Sequence, residues 1–170
     1  MDYELPPPAS FEDLLARLED GALPGVVFTG DASCALDLDA CDPFGTWAAK
    51  AWEMLRAVDG YVQTRQAGKF SNGMHAYLSQ TPPGHPGYSA GAHASQESES
   101  VEQSTTFRSL REQPVPHAVC AAEKVFMGAH FKIAKKGTIS PRMHYFDDTA
   151  NTGKVYVGYI GRHLPNTLTN

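Results

Sequence analysis

The residue types best suited to chemistry gather in the C-terminal third of the chain, at spacings of two. His130 and Lys132, Arg142 and His144, and Lys154 and Tyr156 each flank a single intervening residue. In an extended strand successive side chains point to opposite faces, so residues two apart share one. His130 and Lys132 then oppose Phe131 and Ile133, and Arg142 and His144 oppose Met143 and Tyr145. Lys154 and Tyr156 oppose Val155, Val157 and Tyr159. With the polar faces in register the six side chains form one basic patch, extended by Arg162 and His163. An imidazole as base, a second imidazole or a phenol as acid, and a cation on the developing phosphorane would suffice for metal-free phosphodiester cleavage. The catalytic candidates are His130, Lys132, His144 and Tyr156, and the ligand-binding candidates are Arg142, Lys154, Arg162 and His163. The same groups could hold an anion without changing it. A third reading makes them the solvated face of an ordinary antiparallel sheet.

Other chemistries fit less well. Asp37 and Asp39, with the Tyr145-Phe-Asp-Asp148 stretch, resemble in outline the paired carboxylates of a two-metal nucleotidyl transferase. Asp-Asp-Thr before Asn and Gly is, however, ordinary turn chemistry. Position 137 is Gly where a phospholipase D signature, begun by His130-Phe-Lys132, needs an aspartate. The seven histidines include no His-x-x-x-His pair, and His85 and His93 fall in a breaker-rich stretch where ligands would be poorly preorganised. A His130/His144/Asp147 cluster would need a bulge to bring Asp147 onto the face of His144. No nucleophile elbow, phosphate loop or dinucleotide fingerprint occurs. The three cysteines, Cys34, Cys41 and Cys120, match no zinc spacing and read as free, buried thiols. No metal and no cofactor is expected.

The elements that must position these groups follow from periodicity. Ser10, three residues before Asp13, opens a helix with Phe11, Leu14, Leu15 and Leu18 on one face, closed by Gly21. Val26-Val27-Phe28 reads as a strand, and the alternating residues 35–39 as its returning partner. Trp47, Ala51, Trp52, Leu55, Val58, Tyr61 and Val62 mark the longest helix, and residues 71–78 a short one. Residues 1–9 read as a flexible lead-in, and residues 81–95 as a mobile Pro/Gly/Ser-rich loop. Residues 96–112 predict one polar helix, with Val101, Phe107 and Leu110 inward and Arg108 and Arg111 outward. Strands follow at 124–134, at 138–147 (kinked at Pro141) and at 154–161, joined by short turns. The fold class is α+β: a single domain, residues 1–170, with N-terminal helices packed on a C-terminal antiparallel β-meander of three to four strands.

Composition narrows the partners. The chain has 170 residues, 42% hydrophobic and 19% charged, which suits one globular core. Its net charge of −5 gives no long-range attraction to a phosphate backbone, so nucleic acid would need a local basic face. No apolar run is long enough to span a bilayer, and the start Met1-Asp2-Tyr3-Glu4, followed by prolines, is unlike a signal peptide. A cytoplasmic protein with no membrane association is expected.

Pro141-Arg-Met-His-Tyr-Phe-Asp-Asp-Thr149, then Gly153-Lys-Val-Tyr-Val-Gly-Tyr-Ile-Gly-Arg-His-Leu-Pro-Asn166 and the final Thr169-Asn170, carry a resemblance. They resemble the C-terminus of an uncharacterised bacterial family with a Pro-Arg-[Leu/Met]-His…Asp-Asp-Thr…Gly-Tyr-Ile-Gly-x-His-Leu pattern. The likeness covers residues 107–170 and implies bacterial origin, with no activity attached. The leading functional reading is a non-enzymatic interaction module of a bacterial multi-component system, binding a protein partner or an anionic ligand. The alternative is a small nuclease using the His/Lys/Arg/Tyr face.

Overall fold

The computed structural model describes residues 5–166. Helix α1 (Phe11–Glu19) starts where expected: the Ser10 hydroxyl accepts from the Asp13 amide at 3.1 Å, and Phe11, Leu14 and Leu18 are buried. Of the lead-in, Leu5–Ala9 is described and lies against this helix. Arg17 donates to the Pro6 carbonyl at 2.6 Å and the Ala9 amide to Asp13 at 3.1 Å.

Strand β1 (Val26–Phe28) is followed by a helix, not by a returning strand. Asp31 accepts from the Ser33 amide at 2.9 Å and so starts α2 (Ala32–Asp39). The alternation at 35–39 misleads because Ala35 and Leu38 also stand one helical turn apart, and these two are the buried ones. Asp39 then receives the free Phe11 and Glu12 amides of α1, at 2.7 and 3.2 Å.

The long helix α3 (Thr46–Gln66) carries the aromatic stripe inward. Its first turn is capped by Asp42, which accepts from the Trp47 and Ala48 amides at 3.1 Å. Next comes α4 (Met74–Ser79). The 81–95 segment is irregular at first, though Tyr77 donates to the Pro86 carbonyl at 2.6 Å. It ends in a 3-10 turn at Ala90–Ala92 and in β2 (His93–Ala94), so His93 sits in a strand, 6% exposed.

The single helix expected over 96–112 is two short ones, α5 (Glu99–Gln103) and α6 (Thr105–Ser109). Ser104 divides them: it leaves α5 in extended backbone and caps α6 by accepting from the Phe107 amide at 3.2 Å. Arg111, read as pointing outward, is 1% exposed.

Strands β3 (Glu112–Pro114) and β4 (Lys124–Phe126) form their own two-stranded sheet. The strand expected over 124–134 is therefore broken. It turns at Gly128, where a Cβ would come within 2.9 Å of the Phe126 ring, and resumes as β5 (His130–Lys132). Strands β6 (Arg142–Asp148) and β7 (Lys154–Gly161) complete the main sheet, in the order β1-β7-β6-β5-β2.

The class is α+β, as the sequence indicates, but the sheet is five-stranded and mixed: β1 runs parallel to β7, and the other pairs are antiparallel. β1 meets its partner β7 only after the chain has passed through α2–α6 and the other strands, which is why a local meander reading misses it.

Both faces of the main sheet are covered. On one, Phe131, Met143, Tyr145, Val155, Val157 and Ile160 join the residues of α1–α4 in the large core. On the other, Tyr156, with Val27 and Phe146, packs under the 115–127 excursion, against Val115 and Met127. Gly158 has no partner on β6, because His144 pairs with Tyr159 and Tyr145 with Val157. This bulge turns Tyr159 onto the face of His144, whose ring it meets edge-on at 5.8 Å, and away from Val155 and Val157.

Candidate functional site

Register brings the polar pairs together much as spacing suggested. His130 lies opposite His144, and Lys132 opposite Arg142. The face they share is not an open solvated one. His130, Arg142 and His144 are 7%, 8% and 2% exposed; Glu97 and Gly128 lie against His130, and Met127 against His144. A cleft of about 430 Å³ remains at one end, lined by His130, Lys132, Arg142 and His163 together with Glu97, Ser98, Ser100, Val101 and Asn166.

Each group in the cleft is held by a distinct device. Nδ1 of His130 lies 2.8 Å from the Gly128 carbonyl, which makes it the N–H nitrogen and leaves Nε2 an acceptor. Burial, with Arg142, Lys132 and Arg111 nearby, pushes the His130 pKa down to about 4, so the ring is neutral at pH 7. Its 3.5 Å approach to Glu97 is thus no ion pair at that pH.

Arg142 is anchored by its Nη1, which donates to the carbonyls of Ala134, Ser140 and Pro141 at 2.6, 3.0 and 3.3 Å. The ammonium of Lys132, a half-buried residue, has no ion pair or hydrogen bond among the described residues. His163 follows β7, and its amide donates to the Ile139 carbonyl at 3.0 Å. Its Nδ1 is buried and has no partner among the described residues, and burial lowers its pKa, with Arg142 and Arg111 adding to the shift.

Sequence reasoning missed two residues here. Glu97, read as part of a polar helix, forms an ion pair with Arg111 Nε at the base of the cleft. Arg111 also donates to the carbonyls of Phe107 and Pro165 at 2.9 Å and of Leu164 at 3.2 Å, stapling the segment after β7 to the 97–111 strap. Nothing in the local pattern marks Arg111, since a surface arginine after an apolar residue is common. Only the pairing partner 14 residues upstream (Glu97 to Arg111) distinguishes it.

The remaining candidates lie elsewhere. His144 is packed beneath the cleft, its ring stacked 4.8 Å from that of His130 and its Nδ1 2.9 Å from the Met127 carbonyl. Tyr156 belongs to the second core and donates to Thr152 Oγ1 at 3.0 Å. Lys154 donates to the Pro24 carbonyl at 2.8 Å, and Arg162 pairs with Asp37 at 2.7 Å on the surface beside α2.

The carboxylates weighed for metal chemistry are likewise separated. Asp39 caps α1, Asp37 holds Arg162, Asp147 accepts from Tyr61 and Thr149, and Asp148 accepts from Thr152. Among the described residues no group of three or more His, Cys, Asp or Glu side chains is placed to hold a metal ion.

The cleft thus offers two guanidinium or ammonium groups at its wall, a third cation behind it and one carboxylate, with two neutral imidazoles presenting acceptor or donor nitrogens. Such an arrangement could hold a small anion, by charge from Lys132 and Arg142 and by hydrogen bonds from Ser98, Ser100 or His163. No protein-family model, no curated protein and no solved structure matches this chain. Among the described residues no helix is long and apolar enough to cross a membrane.

Proposed function

We propose that this chain is a binding module whose cleft takes a small anionic group, a phosphate or carboxylate, free or displayed by a partner. The observation that carries this reading is the unpaired Lys132 ammonium beside Arg142, in a cleft where cations outnumber the one carboxylate of a chain whose net charge is −5. A cation left without a partner in a half-enclosed site gains most from an incoming anion, since screening by solvent is weaker there. The free thiols Cys34, Cys41 and Cys120, and the resemblance of the C-terminal pattern to a bacterial family, support a cytoplasmic bacterial setting.

Titration with inorganic phosphate, followed through the imidazole resonances of His130 and His163, tests the reading. Saturable shifts at both rings are expected, with the midpoint moved to clearly higher phosphate in Lys132→Ala. Absence of shifts, or shifts unchanged in the variant, would overturn it.

One observation favours phosphodiester cleavage as a second reading: two neutral imidazoles stand beside two cations in a concave site. It now rests on His130 and His163, because His144 and Tyr156 lie outside the cleft. Incubation with labelled RNA and single- and double-stranded DNA, with magnesium, manganese or chelator, decides it. Cleavage lost in His130→Ala supports the nuclease, and intact nucleic acid in every condition removes it.

A further inference from the structure

A second, larger cavity of about 620 Å³ lies on the other side of the 95–102 strap, between α4 and the middle of β6. It contains a chain of hydrogen-bonded groups that the anion cleft does not use. His75, exposed on α4, faces His93 on β2 with their Nδ1 atoms 3.0 Å apart, and His93 Nε2 lies 2.5 Å from the Tyr145 hydroxyl. The two imidazole centres are 5.2 Å apart, close to the most that the N···N distance plus a ring radius at each end allows, so this hydrogen bond is nearly straight. A metal shared by the two nitrogens would need a bent arrangement instead.

We propose that this cavity is a proton-transfer site, with Tyr145 the group that meets the ligand and His93–His75 the wire joining it to solvent. The wire has two arrangements that satisfy the same hydrogen bonds. In one, His75 carries its proton on Nδ1 and donates to His93, while His93 carries its own on Nε2 and donates to the tyrosine oxygen. In the other, His93 carries Nδ1–H and donates to His75, and Tyr145 donates to His93 Nε2.

Passage from the first to the second moves one proton across the protein. Water protonates His75 at Nε2, the Nδ1 proton of His75 goes to His93, the Nε2 proton of His93 goes to Tyr145, and the original phenolic proton of Tyr145 goes to the ligand's oxygen or nitrogen. All three groups are neutral before and after. Burial disfavours both His93 imidazolium and Tyr145 phenolate, pushing the pKa of the first down to about 4 and that of the second up, which suits transfer without a lasting ionised intermediate.

The ligand class follows from the walls. The lining includes the carboxylates Asp147 and Glu102 and no lysine or arginine, with Phe126 and Phe146 as aromatic surfaces. An anion is disfavoured. A planar, uncharged molecule with a carbonyl or ring nitrogen is the fit, so the two cavities take opposite chemistries.

Exchange of the Tyr145 hydroxyl proton, read from the deuterium isotope shift at its ring carbon in mixed light and heavy water, tests the wire in the intact protein. Tyr77, 0% exposed and bonded to the Pro86 carbonyl, is the internal control. Tyr145 is expected to exchange much faster than Tyr77, and to slow at least about tenfold in His75→Phe, an exposed substitution that leaves the core intact. Exchange as slow as that of Tyr77, or fast exchange unaffected by His75→Phe, would overturn the wire.

Benzamide serves as the cavity probe. It should shift Tyr145 and the Met74 methyl in wild type and in Lys132→Ala, and fail to do so in Ala76→Phe, which fills the cavity. Binding that survives Ala76→Phe, or no binding to wild type, would overturn the ligand class. Because Lys132→Ala should weaken only the phosphate response, failure here is separable from failure of the anion cleft.

Discussion

Replacing Arg111 by Met should cost more than almost any other single change on the outer face of the sheet. The guanidinium is 1% exposed, ion-paired with Glu97 and bonded to three carbonyls. Met fills much of the volume but leaves the Glu97 carboxylate, 11% exposed, buried without its counter-ion. Breaking one side of a buried pair costs about 3–5 kcal/mol. The Leu164 and Pro165 carbonyls can recover water if the segment after β7 lifts away, which holds the expected loss to about 3–4 kcal/mol.

Glu97→Gln is milder, at about 1–2 kcal/mol, because Arg111 keeps its carbonyl partners. The double variant should lose less than the sum of the two by about 1–3 kcal/mol, since the orphaned carboxylate disappears. Urea denaturation followed by far-ultraviolet circular dichroism measures all four corners of this cycle. Additive losses, or Arg111→Met within about 0.5 kcal/mol of wild type, would refute the claim that this pair holds the strap on the sheet.

Acid should destabilise the fold through its buried imidazoles. The pKa values of His93 and His130 are depressed to about 4, below the roughly 6.5 of an unfolded histidine, so between these values the unfolded state binds more protons. Their stabilising contribution is therefore full above pH 6.5 and lost as pH falls toward 4, on the order of a few kcal/mol. His144 acts in the same direction, and a His130→Gln variant should flatten this part of a stability–pH curve. Tyr61→Phe removes the hydroxyl that joins Asp147 at 2.5 Å and Arg65 at 3.0 Å, while Thr149 still serves Asp147, and should cost about 1–2 kcal/mol in thermal or urea unfolding. Gly30→Ala would place a Cβ 2.2 Å from the Gly158 carbonyl oxygen, at the bulge of β7, where only backbone could move. A loss of at least about 2 kcal/mol is expected, and a neutral result would mean that the β1–β7 edge is looser than its geometry indicates.

The local signals in the chain were strong where one element decides its own fate. Ser10 before Phe11, Leu14 and Leu18, and the Trp52–Leu55–Val58–Tyr61 stripe, name their helices without help from tertiary structure. Alternation also put His130 with Lys132 and Arg142 with His144 on a common face. What alternation could not show is the layer above that face, which depends on Gly128 breaking a strand and on Ser104 breaking a helix. Nor could it foresee the bulge at Gly158, after which Tyr159 changes sides. The cleft is half legible for the same reason: its floor is written in strand spacing, while Glu97 and Arg111 are brought to it by chain reversal. Pro and Gly crowd the sequence before His93 and speak against a fixed ligand there, yet two residues of pairing with Phe131 and His130 suffice to fix it.

Calorimetric titration with inorganic phosphate, at low and at raised salt, tests the anion cleft most directly. Wild type should bind with an affinity that weakens as salt rises, Lys132→Ala should bind roughly five- to tenfold more weakly, and Glu97→Gln, one negative charge poorer, should bind more tightly. Affinities that ignore salt, or that fall equally in both variants, would contradict a charge-selective cleft under the C-terminal sheet.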